Sequence, residues 1–384
     1  MKKPLIIFII ALVIILILPA IGFFGWYFED KKPIDIVILD KTVHSLDREK
    51  HRSLTWVLSN SRIVKKDSKR KYFLNKDYYG FFPVKPLRSK QFSRKDFRLA
   101  ELPDIADNND ALYYADTYGV FVSDWYKGIS RTRNSRKLYG GLNNNDYLLL
   151  SEMKKRNKLV ILEYNTFDYP TDAYERYRVE ELIGFKSTGW SGKYYPSLDS
   201  SGVDVPLWII DLYKKSSRQP WDFKNAGIIL LKGSDEILVM EEGRHLENAL
   251  PFIMTEGVFA NEFGLAGQVA FDLSFEIIEP RDNQVLSNFK LRTLPDGDEL
   301  LDKKFLSNEF PAVIANKGEM RSVYFCGDFA TGSIPPWTAS LGSLDMIKGL
   351  LYENENLNDP RRFFWLYYKP LVSGIMNDYY LDLL

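Results

Sequence analysis

The seven residues Ile34–Asp40, IDIVILD, constrain the fold of this chain more than any other stretch. The run is apolar except for Asp35, rich in β-branched side chains and closed by an acid. It is too short to bury itself as a helix, so it predicts an interior parallel strand. In an open α/β sheet the first strand is usually central, and ligands bind in a crevice outside the carboxyl ends of the strands. Asp40 is then expected on the rim of that crevice.

The same grammar recurs downstream. Ala111–Gly119 (ALYYADTYG) reads as a strand ending in Asp116 and a glycine, and Leu159–Asn165 (LVILEYN) as a buried strand ending in Glu163. Between these strands lie polar loops and amphipathic helices. Asp47 is a candidate N-cap for a helix that places Leu54, Val57 and Leu58 on one face, and Arg62–Lys65 reads as a short second strand. Leu148, Leu149 and Met153 mark another helix, with Asn157 suited to a left-handed cap. Asp172 and Glu175 have capping-box spacing, and Gly184 closes the helix they open. Three successive units of strand, loop and helix predict an α/β fold with a doubly wound, mainly parallel sheet of flavodoxin-like type. Residues 65–100, basic and aromatic with Gly80, Pro83 and Pro86, predict an excursion from the sheet, such as a hairpin.

The second half is less regular. Gly227–Lys232 and Glu236–Met240 predict a strand pair turning at Gly233–Asp235. Gln268–Ile278 and Phe289–Arg292 alternate as strands do, and Ala312–Ala315 with Arg321–Cys326 predicts a hairpin turning at Gly318. Arg361–Tyr368 and Leu371–Leu384 predict a closing helical region interrupted at Pro370.

Lys2 and Lys3 precede a run from Pro4 to Phe28 without a single charge, long enough for a membrane-spanning helix of roughly 20 residues or more. Trp26 and Tyr27 stand at its far end, where aromatic rings favour the headgroup level. A cleaved signal peptide is the alternative, but the apolar run is long for one and Ala20–Gly22 is a poor cleavage site. The expected organisation is an uncleaved signal anchor over residues 1–28 and an extracytoplasmic domain over 29–384. The lysines put the N-terminus in the cytoplasm and the domain outside.

Composition narrows the function. Lys and Arg balance Asp and Glu at 51 each, and without Lys2 and Lys3 the remainder carries a net charge of −2. Such a chain has no field for a polyanion, so nucleic acid is not an expected partner. The membrane, through residues 4–28, is one, and a glycan or surface protein is the other, since 15% aromatic residues suit sugar stacking as well as core packing. One cysteine, Cys326, and three scattered histidines, His44, His51 and His245, leave no disulfide and no recognisable metal motif. Neither a metal nor another cofactor is expected.

The order IVILD and its helix, LYYADTYG, LVILEYN and the late segment FPAVIANKGEMRSVYFCGDFA resembles the class I glutamine amidotransferase-like fold, across about residues 34–330. The resemblance implies that fold. The family's chemistry uses a cysteine on a glycine-flanked strand-to-helix elbow, backed by a histidine and an acid. This chain offers Glu163–Thr166 where the elbow belongs, Cys326 lies in a strand-like run, and Gly189-x-Ser191 is followed by Lys193 where a serine elbow needs glycine. Hydrolysis of glutamine by the family mechanism is therefore not expected.

What remains is an acid at the end of each candidate strand: Asp40, Asp116, Glu163 and Asp328. Carboxylates sharing one crevice push a pKa upward and can form an acid/base pair. Asp116 and Glu163 are the catalytic candidates of that reading, a glycan hydrolase. Acids at strand ends also cap helices and bind backbone amides, and a carboxylate-lined pocket can hold a ligand without turning it over. The leading expectation is a membrane-anchored ligand-binding or assembly protein linked to cell-surface polysaccharide, with the hydrolase as alternative.

Overall fold

A computed structural model describes residues 17 and 19–384, except 86, 129–134, 168, 317–320 and 346. Most of the expected anchor, and the expected turn at Gly318, lie outside the described residues. Residues 19–28 are helical, and among the described residues no helix is long and apolar enough to cross a membrane.

The main sheet is built from β1 (Ile36–Asp40), β2 (Tyr79–Pro83), β3 (Phe92–Lys95), β4 (Ala111–Asp116) and β5 (Leu159–Glu163) of the first half. A second, four-stranded sheet comprises β6 (Phe185–Tyr195), β7 (Gly227–Lys232), β8 (Glu236–Glu241) and β11 (Ser274–Pro280), in the order β8-β7-β6-β11. The remaining strands, β9 (Leu246–Met254), β10 (Gln268–Ala270), β12 (Gln284–Thr293), β13 (Glu309–Asn316) and β14 (Ser322–Phe325), extend the main sheet to ten strands, ordered β10-β9-β12-β13-β14-β5-β4-β1-β2-β3. Five neighbours, β14-β5-β4-β1-β2, run parallel and form its core. The others pair antiparallel, so the doubly wound part is flanked by meander-like strands.

Every residue of β1, β4 and β5 is buried, as continuous apolar runs covered on both faces must be. Three expectations need correction. The middle of the parallel block is β4, not β1, because β4, β5 and β14 all add on one side of β1; the basic and aromatic stretch does form a hairpin, but within the sheet, with β2 parallel to β1 and β3 turning back on β2. Ile63–Val64 joins Lys32–Pro33 in a separate two-stranded pair, so Arg62–Lys65 is no sheet neighbour of β1. The C-terminal region is continuous: Arg361–Phe363 passes through a π-helical turn, Phe364–Tyr368, into helix Lys369–Leu383, and the wider π turn falls directly before Pro370, whose missing N–H would interrupt the regular ladder.

The helices that matter for the site follow the parallel strands: α1 (Glu49–Asn60) after β1, α2 (Asn144–Lys155) after β4 and α3 (Ala173–Ile183) after β5. A capping box opens α2, where Asn143 accepts from the Asn145 and Asp146 amides and Asp146 accepts from the Asn143 amide. At α3, Asp172 caps the Tyr174 amide and Gly184, with φ 94°, closes the helix. Asn157 is left-handed at φ 50°, as its place after α2 requires.

Candidate functional site at the carboxyl ends of the parallel strands

The parallel pairing of β14, β5, β4 and β1 carries the four acids to one edge of the sheet. Asp40, Asp116 and Glu163 are fully buried and Asp328 nearly so. Pairing runs Leu39 to Tyr114 and then Asp40 to Asp116, so one extra residue, Ala115, bulges and sets the two aspartates opposite each other. Asp328 reaches the same edge because the second sheet holds the chain after β14. The Glu276 amide donates to the Cys326 carbonyl at 2.8 Å, and the Asp328 amide donates to the Ser274 carbonyl at 2.9 Å.

Lys50, on the first turn of α1, stands between two of these acids. Its ammonium donates to Asp328 and lies 3.5 Å from Asp116 Oδ2. Burial works against this charge, but Asp328 and then Asp116 outweigh it and hold the Lys50 pKa above the ordinary lysine value. Asp116 is pushed up to about 7, chiefly by burial; Lys50 opposes the rise while Asp328 and Asp40 add to it. Asp116 also accepts from the Tyr118 amide at 2.7 Å, from Asn165 Nδ2 at 2.9 Å and from the Thr42 hydroxyl. Thr42 bridges the aspartates, its amide donating to Asp40 Oδ1 at 2.8 Å.

The other two acids face inward. Asp40 Oδ2 is 2.6 Å from His51 Nδ1, and His51 Nε2 is 3.0 Å from the Leu74 carbonyl. A carbonyl only accepts, so Nε2 donates to it, the Nδ1–Oδ2 contact holds a second proton between the ring and Asp40, and the ring bridges α1 to the loop before β2. Glu163 accepts from the Tyr113 hydroxyl and from the Ala330 amide at 3.1 Å. Burial and then Asp328 raise its pKa well above the usual carboxylate range.

The rim is aromatic. Tyr118 lies 5.1 Å from Phe121, whose ring stacks on Tyr169 with centroids 5.9 Å apart, and Tyr118 and Tyr169 are 39% and 59% exposed. From the second sheet comes Lys193, its pKa lowered by burial and then by the nearby Lys50 charge. Beside this edge opens a cavity of about 440 Å³ lined by Lys41, Arg94, Asp96, Lys137 and the Gly140–Asn143 loop. Lys41 is not available to a ligand there, since it donates to Asp146 at 2.6 Å and to the Gly141 carbonyl.

No group of three metal-ligating side chains is arranged around a common point among the described residues. Between Asp116 and Asp328 the cation is the protein's own ammonium. Cys326 is fully buried past the end of β14, and burial followed by the Glu276 charge pushes its thiol well up. Thiols buried in this way have little thiolate character.

The sequence reading missed Lys50 and His51, which look like members of a charged helix start, DREKHR. A signal was present. His51 falls three residues before Leu54 and seven before Leu58, on the buried face of α1, where a histidine needs a partner.

Fold and site together define a mixed α/β protein with a carboxylate and lysine cluster at the ends of its parallel strands. No known protein family matches the chain, and no curated protein matches it in sequence. Among solved structures it is similar to a glutamine amidotransferase from Thermotoga maritima, with 8% identity over 90% of this chain and 98% of that one and a TM-score of 0.38. A putative ThuA-like protein from Bacteroides uniformis ATCC 8492 aligns at 9% identity over 90% and 92% of the two chains, with a TM-score of 0.36. A β-galactosidase from Bacillus circulans sp. alkalophilus aligns at 9% identity over 78% of this chain and 30% of that one, with a TM-score of 0.32.

Proposed function

We propose that this chain is a membrane-anchored, extracytoplasmic binding protein whose amidotransferase-like domain is non-catalytic and whose ligand is a cell-surface carbohydrate. The observation that carries the binding reading is the state of the strand-end carboxylates. Each is already committed: Asp40 to His51, Asp116 and Asp328 to Lys50, Glu163 to Tyr113 and Ala330. The exposed elements of the edge are Tyr118 and Tyr169, rings of the kind that stack on the C–H faces of sugars, with the partly exposed Lys50 as a hydrogen-bond donor. The anchor is supported by the uncharged run Pro4–Phe28 behind Lys2 and Lys3.

Calorimetric titration of the full chain in detergent with soluble fragments of cell-surface polysaccharide tests the reading. Tyr118→Ala and Tyr169→Ala are each expected to weaken binding about tenfold, the equivalent of roughly 1.4 kcal/mol, with the unfolding midpoint unchanged. Binding indifferent to both substitutions overturns it.

One observation favours the second reading, a glycan hydrolase. Asp116, pushed up to about 7, keeps a proton near neutral pH, as a general acid does. Cleavage of a glycan panel, abolished by Asp116→Asn without loss of fold, decides for it.

A further inference from the structure

The junction between the N-terminal helix and the domain is packed on two sides. Trp26 Nε1 donates to the carbonyls of Ser59 and Asn60, at 3.0 and 3.1 Å, at the end of α1. The Arg62 guanidinium lies 4.6 Å from the Trp26 ring centroid and donates to the Tyr27 carbonyl at 3.0 Å. On the other side, a Cβ at Gly342 would fall 3.1 Å from Trp26 Cβ and 3.3 Å from the Gly22 carbonyl, so that backbone lies directly against the helix turn 22–26.

Helix length then fixes a depth. The run Pro4–Phe28 would extend about 37 Å as a helix, against a hydrocarbon core of about 30 Å. With Lys2 and Lys3 held at the cytoplasmic interface, the surplus of about five residues falls on the domain side. That places Trp26, and Gly342 beside it, in the headgroup layer.

The segment around Gly342 carries apolar side chains with no cover. Trp337 is 70% exposed, Ile347 41% and Leu350 83%, with Lys348 among them. The start of the segment is tied to α1: Trp56 Nε1 donates to Thr338 Oγ1 at 2.8 Å, and Asn60 Nδ2 to the Ala339 carbonyl at 3.0 Å. Indole and aliphatic groups beside a lysine, fixed at headgroup depth, match what a bilayer interface accepts.

We infer that Trp337, Ile347 and Leu350, with Lys348, form a second membrane contact, which seats the domain on the bilayer its own helix crosses and fixes the orientation of the strand-end site relative to that surface. This rests on the anchor reading, and the test separates the two. Cys326 is buried, so single nitroxide labels can be placed by Leu350→Cys, Trp337→Cys, Val13→Cys and, as an aqueous reference, Phe305→Cys, at a residue 98% exposed. The full-length protein is reconstituted in vesicles of phosphatidylcholine and phosphatidylglycerol, and each label's collision with oxygen is compared with its collision with a water-soluble nickel chelate. The ratio at 337 and 350 is expected several-fold above that at 305 and below that at 13. Ratios at 337 and 350 equal to that at 305, with a hydrocarbon value at 13, overturn this inference and leave the anchor standing. A value at 13 matching 305 overturns both.

Discussion

Replacing Lys50 by Met leaves the shape of the side chain and deletes the one cation between Asp116 and Asp328. In the native protein Asp116 is held at about 7 against an ordinary value of 3.8. A carboxyl whose folded pKa is raised binds an extra proton in the native state between those values. Its contribution to stability is fully present below pH 4 and is lost as pH rises through 7, a swing of roughly 4 kcal/mol. Lys50 limits that loss by favouring the ionised form, so Lys50→Met drives the Asp116 pKa higher. At pH 5 Asp116 is neutral with or without Lys50, and the substitution costs only the hydrogen-bonded pair with Asp328, about 1–3 kcal/mol. At pH 8 the native Asp116 is ionised beside Lys50, whereas the variant keeps it protonated or leaves it ionised and unpaired, so the cost rises by up to about 1.4 kcal/mol above its value at pH 5. Urea unfolding of the detergent-solubilised full chain, followed by tryptophan fluorescence at the two pH values, measures the difference directly. A loss equal at both, or larger at pH 5, would refute the assignment of Lys50 as the counter-ion of this cluster.

Three further outcomes follow from the same geometry. Cys326→Ala should cost on the order of 1–2 kcal/mol through a small cavity and leave ligand binding intact, and the native thiol should stay inert to Ellman's reagent until the protein unfolds. Gly80→Ala should destabilise by roughly 3 kcal/mol in thermal unfolding, because φ is +131° and the new Cβ would lie 1.7 Å from the Asp40 carbonyl oxygen, displacing the end of β1. Tyr113→Phe removes the hydroxyl that serves Glu163 and Tyr368 and should cost about 1–3 kcal/mol, read as a shift of the urea midpoint with no change of slope.

The parallel strands and their ends are legible in the order of amino acids alone. Ile36–Asp40, Ala111–Asp116 and Leu159–Glu163 are visible because full burial on both faces demands an unbroken apolar run, and the acid that stops each run marks the edge of the core. Helix boundaries were legible where the signal is local, as at Asp172, Gly184 and Asn157. What the tertiary structure decided is partnership. Nothing near Asp116 in sequence announces Lys50, 66 positions away, and nothing near Asp40 announces that the loop before β2 supplies a carbonyl to His51. The antiparallel flank of the main sheet, and the return of β2 and β3 to its edge, depend on pairings between distant residues that a pattern of period two leaves open. The four acids are therefore readable as candidates from composition and order. Whether they form an open catalytic pair or are tied to a lysine, a histidine and a tyrosine is settled by packing, since a buried carboxylate takes whichever donor the fold brings within reach.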